Sequence, residues 1–170
     1  MKRATKRELA AVMWKLCVHG MDELREIIGH HVAGYEKQTL FGPDSRFFES
    51  AILHLCLAMA AISGELELQG GLFDACIDHI REAGGTMFEI HKFLGMVDER
   101  RVDYTAAMQR RQEGDETAFS EEVVEHLVSG RTGDENVEED VLLQMDCDSH
   151  VDSFLPRCAE LRAQYSLVPG

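Results

Sequence analysis

The sequence predicts an all-α chain: a single compact helical bundle of about five main helices, followed by a smaller acidic helical segment. Three observations predict it. Apolar residues recur at steps of three and four through most of the 170 positions. Capping residues and glycines bracket those stretches, and no run alternates apolar and polar residues for a useful length. Only Pro43, Pro156 and Pro169 interrupt the backbone's capacity for helix.

In chain order, Thr5 with Glu8 has the spacing of a reciprocal capping box. Leu9, Val12, Met13, Leu16 and Cys17 then form one apolar stripe, and Gly20 is expected to stop the helix. Asp22 is read as the cap of a second helix carrying Leu24, Ile27, Ile28, His31 and Tyr35, closed by Gly42-Pro43. A third, from Arg46 to Ile62, is apolar almost all round and is expected to be central, wrapped by the others. Leu72, Phe73, Cys76, Ile77 and Ile80 mark a fourth helix ending at Gly84-Gly85. Thr86 and Glu89 repeat the capping box, and the fifth helix runs on to Gln112.

Beyond Gly114 the character changes. Ser120 is read as the cap of a sixth helix with Phe119, Val123, Val124 and Leu127 inward. Residues 129–140 are rich in glycine and acid and read as a linker. A short helix over Val141–Met145 and a last one carrying Phe154, Leu155, Cys158, Leu161 and Tyr165 complete the chain, with Pro156 expected in a first turn. Residues 1–113 are thus the expected bundle core and 114–170 an acidic helical segment packed on it, one domain overall.

Composition excludes several classes. With 45% hydrophobic and 28% charged positions the chain is neither disordered nor collagen-like, and five cysteines without a Cys-x-x-Cys pair do not make a disulfide framework. The basic start Lys2-Arg3-Ala4-Thr5-Lys6-Arg7 is followed by Glu8 and Lys15 instead of an uninterrupted apolar stretch, which does not fit a signal peptide. A cytoplasmic protein with no membrane partner is expected.

Charge is the most informative feature. Seventeen Lys and Arg face 31 Asp and Glu, a net of −14, which argues against direct nucleic-acid binding. Residues 1–112 hold 14 bases and 16 acids, a net of −2, whereas residues 113–170 hold 3 bases and 15 acids, a net of −12. A face of one sign attracts partners of the other. The expected docking residues are Glu113, Asp115, Glu116, Glu121, Glu122, Glu125, Asp134, Glu135, Glu138, Glu139 and Asp140. Their partner would be a basic protein surface or a nucleic-acid-binding protein, whose phosphate site the carboxylates would mimic. The basic run Lys2, Arg3, Lys6, Arg7 offers a weaker contact to the acidic half of a second copy.

Reactive constellations are sparse. Asp146, Asp148, His150 and Asp152 form the densest run of potential metal ligands, and Cys147 lies among them. The run resembles a calcium loop only at its start, because Val151 stands where the turn glycine belongs and Arg157 where the bidentate Glu belongs. On a helix Glu122 and His126 share a face, but a carboxylate–histidine metal site of the bundle type needs a Glu-x-x-His motif from each of two helices. None occurs in the chain, so the pair reads as a surface pair or a hydrogen-bonded polar contact. Ser50 and His54 also share a face but lack a third member, and His54 reads as a satisfied core histidine. Cys17, Cys56, Cys76 and Cys158 read as small buried hydrophobes, and Cys147 as a thiol in polar surroundings, made a poor nucleophile by its acidic neighbours. The stretch from Phe47 to Glu67 ends in Ser-Gly-Glu-Leu-Glu; tellurite-resistance-type helical domains place Asp-Gly at such a helix end, and Ser63 departs from that pattern. The expected function is non-catalytic: an adaptor, regulator or complex subunit without a cofactor, with a metal-binding helical bundle as the alternative.

Overall fold

Thr5 begins the first helix as its neighbours dictate. Its hydroxyl accepts from the Glu8 amide at 3.2 Å, and the Glu8 carboxylate accepts from the Thr5 amide at 2.8 Å. The computed structural model describes residues 1–35, 40–42, 45–128 and 137–170, with 137–140 as backbone only. In chain order its elements are β1 (Lys2–Ala4), α1 (Lys6–His31), α2 (Phe47–Ala61), α3 (Leu66–Glu82), α4 (Met87–Gln112), α5 (Ala118–Val128), α6 (Val137–Ala163) and β2 (Tyr165–Leu167). The chain is an all-α helical bundle.

α2 is the centre. Phe48, Ala51, Ile52, Leu53, Leu55, Leu57 and Ala58 are all buried, Ala60 is the one exposed residue of the helix, and the helix packs against all five others. α4 starts at the second capping box, where the Thr86 amide donates to Glu89 at 2.8 Å. α3 ends as expected at Gly84, whose φ of +91° is a conformation that side-chain-bearing residues rarely adopt.

Four expectations are corrected. α1 runs straight through Gly20 and Asp22, so the two helices expected there are one. Gly20 is a contact point: a Cβ there would lie 2.6 Å from the Phe154 ring of α6 and 2.8 Å from the His54 ring of α2. The helix tolerates the glycine because only a bare backbone lets three helices approach so closely. Asp22, freed from capping, pairs with Arg25 at 2.7 Å.

The two helices expected at the C-terminal end are likewise one, with Pro156 inside it. Because α6 starts at Val137, the last four positions of the expected linker are helical, while 129–136 lie outside the described residues. Leu143, Cys147, Val151, Phe154 and Cys158 are buried at steps of three and four across the whole length. That continuous stripe outweighs the roughly 3 kcal/mol that an internal proline costs. Ser120 does not cap α5; it is buried in the first turn, its hydroxyl donating to the Thr117 carbonyl at 3.0 Å. The all-α reading holds, with one very small parallel sheet beside the helices. β1 and β2 pair in parallel, Arg3 opposite Ser166, and tie the described ends of the chain together. At three residues each they are too short to show alternation. No helix among the described residues is long and apolar enough to cross a membrane.

Candidate functional site

The acidic residues expected to dock a partner are placed unevenly. Glu113 closes α4, and Asp115 and Glu116 occupy the turn into α5, all three exposed. Glu121 and Glu125 are exposed on α5. Glu122 is different: its side chain is only 17% exposed, with His126 Nε2 2.8 Å from one oxygen and Arg110 3.7 Å from the other, so it does not belong to the outer rim. Asp134 and Glu135 lie outside the described residues, as do the side chains of Glu138, Glu139 and Asp140 at the start of α6. On the next turn of α6, Val141, Leu142 and Met145 are exposed apolar residues, 50–59% accessible.

The run Asp146 to Asp152 sits in the middle of α6 instead of in a loop before a helix. Helical positions two apart project in nearly opposite directions, so Asp146 and His150 fall on one side of α6 and Asp148 and Asp152 on the other, and the four do not converge. Asp146 meets His31 of α1 at 2.8 Å, and Asp152 meets Arg111 of α4 at 3.0 Å. Asp148 is half-buried, its carboxyl pushed up by burial against the lowering influence of Ser120. His150 points into the core. Cys147 is wholly buried, not in polar surroundings; burial first and its acidic neighbours second push the thiol up to about 12. Cys56 is raised to about 11 and Cys158 to about 12, both chiefly by burial.

One group of His and carboxylate side chains does converge among the described residues: Asp103 of α4 with Glu122 and His126 of α5. One ligand-type atom from each lies within 4.8 Å of the others. His126 Nε2 is 2.8 Å from Glu122 Oε1 and 3.2 Å from Asp103 Oδ2. The pairing of Glu122 with His126 was legible from their spacing, but Asp103 was missed. The available signal was the hairpin: Asp103 and His126 lie almost equal distances either side of the Gly114-Asp115 turn, where antiparallel helices come abreast. Two guanidiniums border the group. Arg110 approaches the other oxygen of Glu122 at 3.7 Å, and Arg100 approaches Asp103 at 3.6 Å. Arg100 is chiefly committed elsewhere, to a two-pronged pair with the buried Glu49 at 2.8 Å on each prong. The Tyr104 ring stands edge-on to His126, centroids 5.7 Å apart.

A second polar group is sealed in the core. His54 is fully buried, and its Nε2 lies 2.9 Å from Nε2 of His150. His54 Nδ1 donates to the Ser50 carbonyl at 2.7 Å, so in the neutral ring Nε2 is the acceptor and His150 supplies the proton between them. His54 is therefore the satisfied core histidine that the sequence suggested, partnered by the Ser50 backbone and not by its hydroxyl. Burial, and then the neighbouring His150, lower its pKa from 6.5 to about 3. Burial lowers His150 as well. On the outer side Glu23 lies 3.9 Å from His150 Nδ1 and forms a 2.7 Å ion pair with Arg157, which holds its carboxyl low.

Comparison of the chain with protein-family models, curated proteins and solved structures finds no match.

Proposed function

We propose that this chain is a non-catalytic binding protein, an adaptor, regulator or complex subunit that engages a basic macromolecular partner through its acidic distal third. The observation that carries the reading is the segregation of charge: residues 113–170 hold 15 acids against 3 bases, while the rest of the chain is close to neutral. Such a field speeds the encounter with a basic surface and selects against acidic ones. The exposed rim of Glu113, Asp115, Glu116, Glu121 and Glu125 supports it. So does the apolar strip Val141, Leu142 and Met145 on α6, since carboxylates steer but buried apolar contact supplies most affinity. An inhibitor that covers a nucleic-acid-binding surface is the form of this reading in which the carboxylates stand in for phosphates.

The test uses a lysine- and arginine-rich amphipathic helical peptide as the probe. Its affinity for the full chain should fall steeply between about 50 mM and about 500 mM salt. Reversing Glu113, Asp115 and Glu116 together to Lys should weaken it at low salt and flatten the salt dependence. Binding of equal strength at both salts, or binding indifferent to the reversal, would refute the acidic face as the docking surface.

A further inference from the structure

We propose that Asp103, Glu122 and His126 form a binding site for one divalent first-row transition metal ion, bridging α4 and α5. The inference is independent of the docking reading. It rests on two observations: the convergence of three ligand-type atoms from two helices, and the state of His126 Nε2.

That nitrogen has no solvent access and no hydrogen-bond partner, although oxygens of Glu122 and Asp103 stand 2.8 Å and 3.2 Å away. The separations suit a hydrogen bond but the directions do not. A nitrogen buried without a partner is costly, and packing two carboxylates beside it explains nothing if neither accepts from it. A cation seated among the three atoms resolves the arrangement. With metal–donor bonds of about 2.1 Å, neighbouring donors in octahedral or tetrahedral coordination stand about 3.0–3.4 Å apart. The two measured edges are close to that range without rearrangement of the helices.

Charge agrees. The ion-paired network around the site contains the carboxylates of Glu49, Glu99, Asp103 and Glu122 and the guanidiniums of Arg100 and Arg110. Four negative groups against two positive leave an excess of two, which a divalent ion cancels. Arg110 faces Glu122 Oε2, leaving Oε1 toward His126. One imidazole with two carboxylates, and no thiol, suits Mn²⁺, Fe²⁺ or Zn²⁺ better than Ca²⁺, which takes six to eight oxygens. The Asp103 side chain is 37% exposed, so water can reach the site and complete the coordination.

The experiment titrates chelator-stripped, untagged full-length chain with ZnCl₂ and, separately, MnCl₂ by calorimetry, and follows the histidine side-chain nitrogens by NMR. One ion should bind per chain, with the His126 Nε2 resonance moving and its Nδ1 resonance nearly still. Asp103→Asn and His126→Gln, each checked for unchanged helical circular dichroism, should weaken binding at least about 10-fold. Asp152→Asn, whose carboxylate pairs with Arg111, should leave affinity unchanged. Asp103 is partly exposed, so its variant serves as the test if His126→Gln does not fold. Two results would overturn the site. One is the absence of stoichiometric binding, with His126 found protonated on both nitrogens and indifferent to added ion. The other is binding that survives both ligand substitutions, which places the ion on other histidines.

Discussion

Acidifying the solution should unfold this protein through a particular pair of rings, His54 and His150. In the folded chain His54 takes a proton only near pH 3, against 6.5 for an ordinary histidine. Burial is the main cause, followed by the neighbouring His150, and the charge of Glu23 offsets only part of it. The unfolded chain therefore binds this proton more readily than the folded one. The stabilisation is complete above pH 6.5 and is lost progressively as the pH falls toward 3. Between about pH 7.5 and about pH 5 the unfolded ring gains most of its proton while the folded ring gains almost none, a difference of about 2 kcal/mol. His150 is shifted in the same direction and adds to the loss. Glu23 opposes it weakly, because its charge is largely spent on Arg157 at 2.7 Å.

The assay is urea unfolding at both pH values for the native chain and for His54→Gln, whose side-chain oxygen can still accept from His150. Carboxylates titrate in both proteins, so the difference between the two pH-dependent losses isolates the histidine. The variant should lose about 2 kcal/mol less than the native chain over that interval. Equal losses would refute the reasoning. So would an NMR titration of the native protein in which the His54 ring protons shift with a midpoint near 6.5, a measurement that does not require the variant to fold.

Three further outcomes follow from the packing. Gly20→Ala should lower stability by about 1–3 kcal/mol, because its methyl meets the Phe154 and His54 rings at 2.6 and 2.8 Å, whereas Gly70→Ala on the open face of α3 should raise it by up to about 1 kcal/mol; thermal melts of the two variants distinguish them. Arg100→Met should cost about 3 kcal/mol in urea unfolding, by stranding the 8%-exposed Glu49 carboxylate, and the double substitution with Glu49→Leu should restore part of that loss. Thr5→Ala, which removes the hydroxyl that accepts from Glu8 at 3.2 Å, should cost about 1 kcal/mol by the same measurement.

The fold class, the central helix and both capping boxes were legible because each depends on residues within one or two turns of each other. Gly20 and Pro156 misled because local propensity was the only guide to them. One is retained for a contact between three helices, and the other is carried by a buried stripe that overrides it. The candidate site divides the same way. Glu122 and His126 are four residues apart and share a face by helical period alone. Asp103 joins them only because the turn at residues 113–117 folds α5 back along α4. The His54–His150 pair spans 96 positions, and nothing local to either residue foretells it. Asp146 to Asp152 attracted attention by density, but density in sequence becomes divergence in space once the run lies on a helix.

The proposed docking face and the proposed ion site meet at Glu122, which composition assigns to the first and geometry to the second. Their effects on one another oppose. Two positive charges at the triad reduce the acidic excess of the distal third from 12 toward 10, which weakens long-range attraction to a basic partner. That loss is modest, since charges beyond about 8–10 Å are screened at ordinary salt. Against it, an ion that ties Asp103 to Glu122 and His126 clamps the α4–α5 hairpin beside the turn that carries Glu113, Asp115 and Glu116. Holding that rim in one arrangement removes ordering entropy that a partner would otherwise have to supply. Steering therefore weakens slightly while the bound state gains, so the ion's influence belongs in the dissociation rate and not in the encounter rate. Linkage then requires the same coupling in reverse: a docked partner tightens the ion by the factor by which the ion tightens the partner.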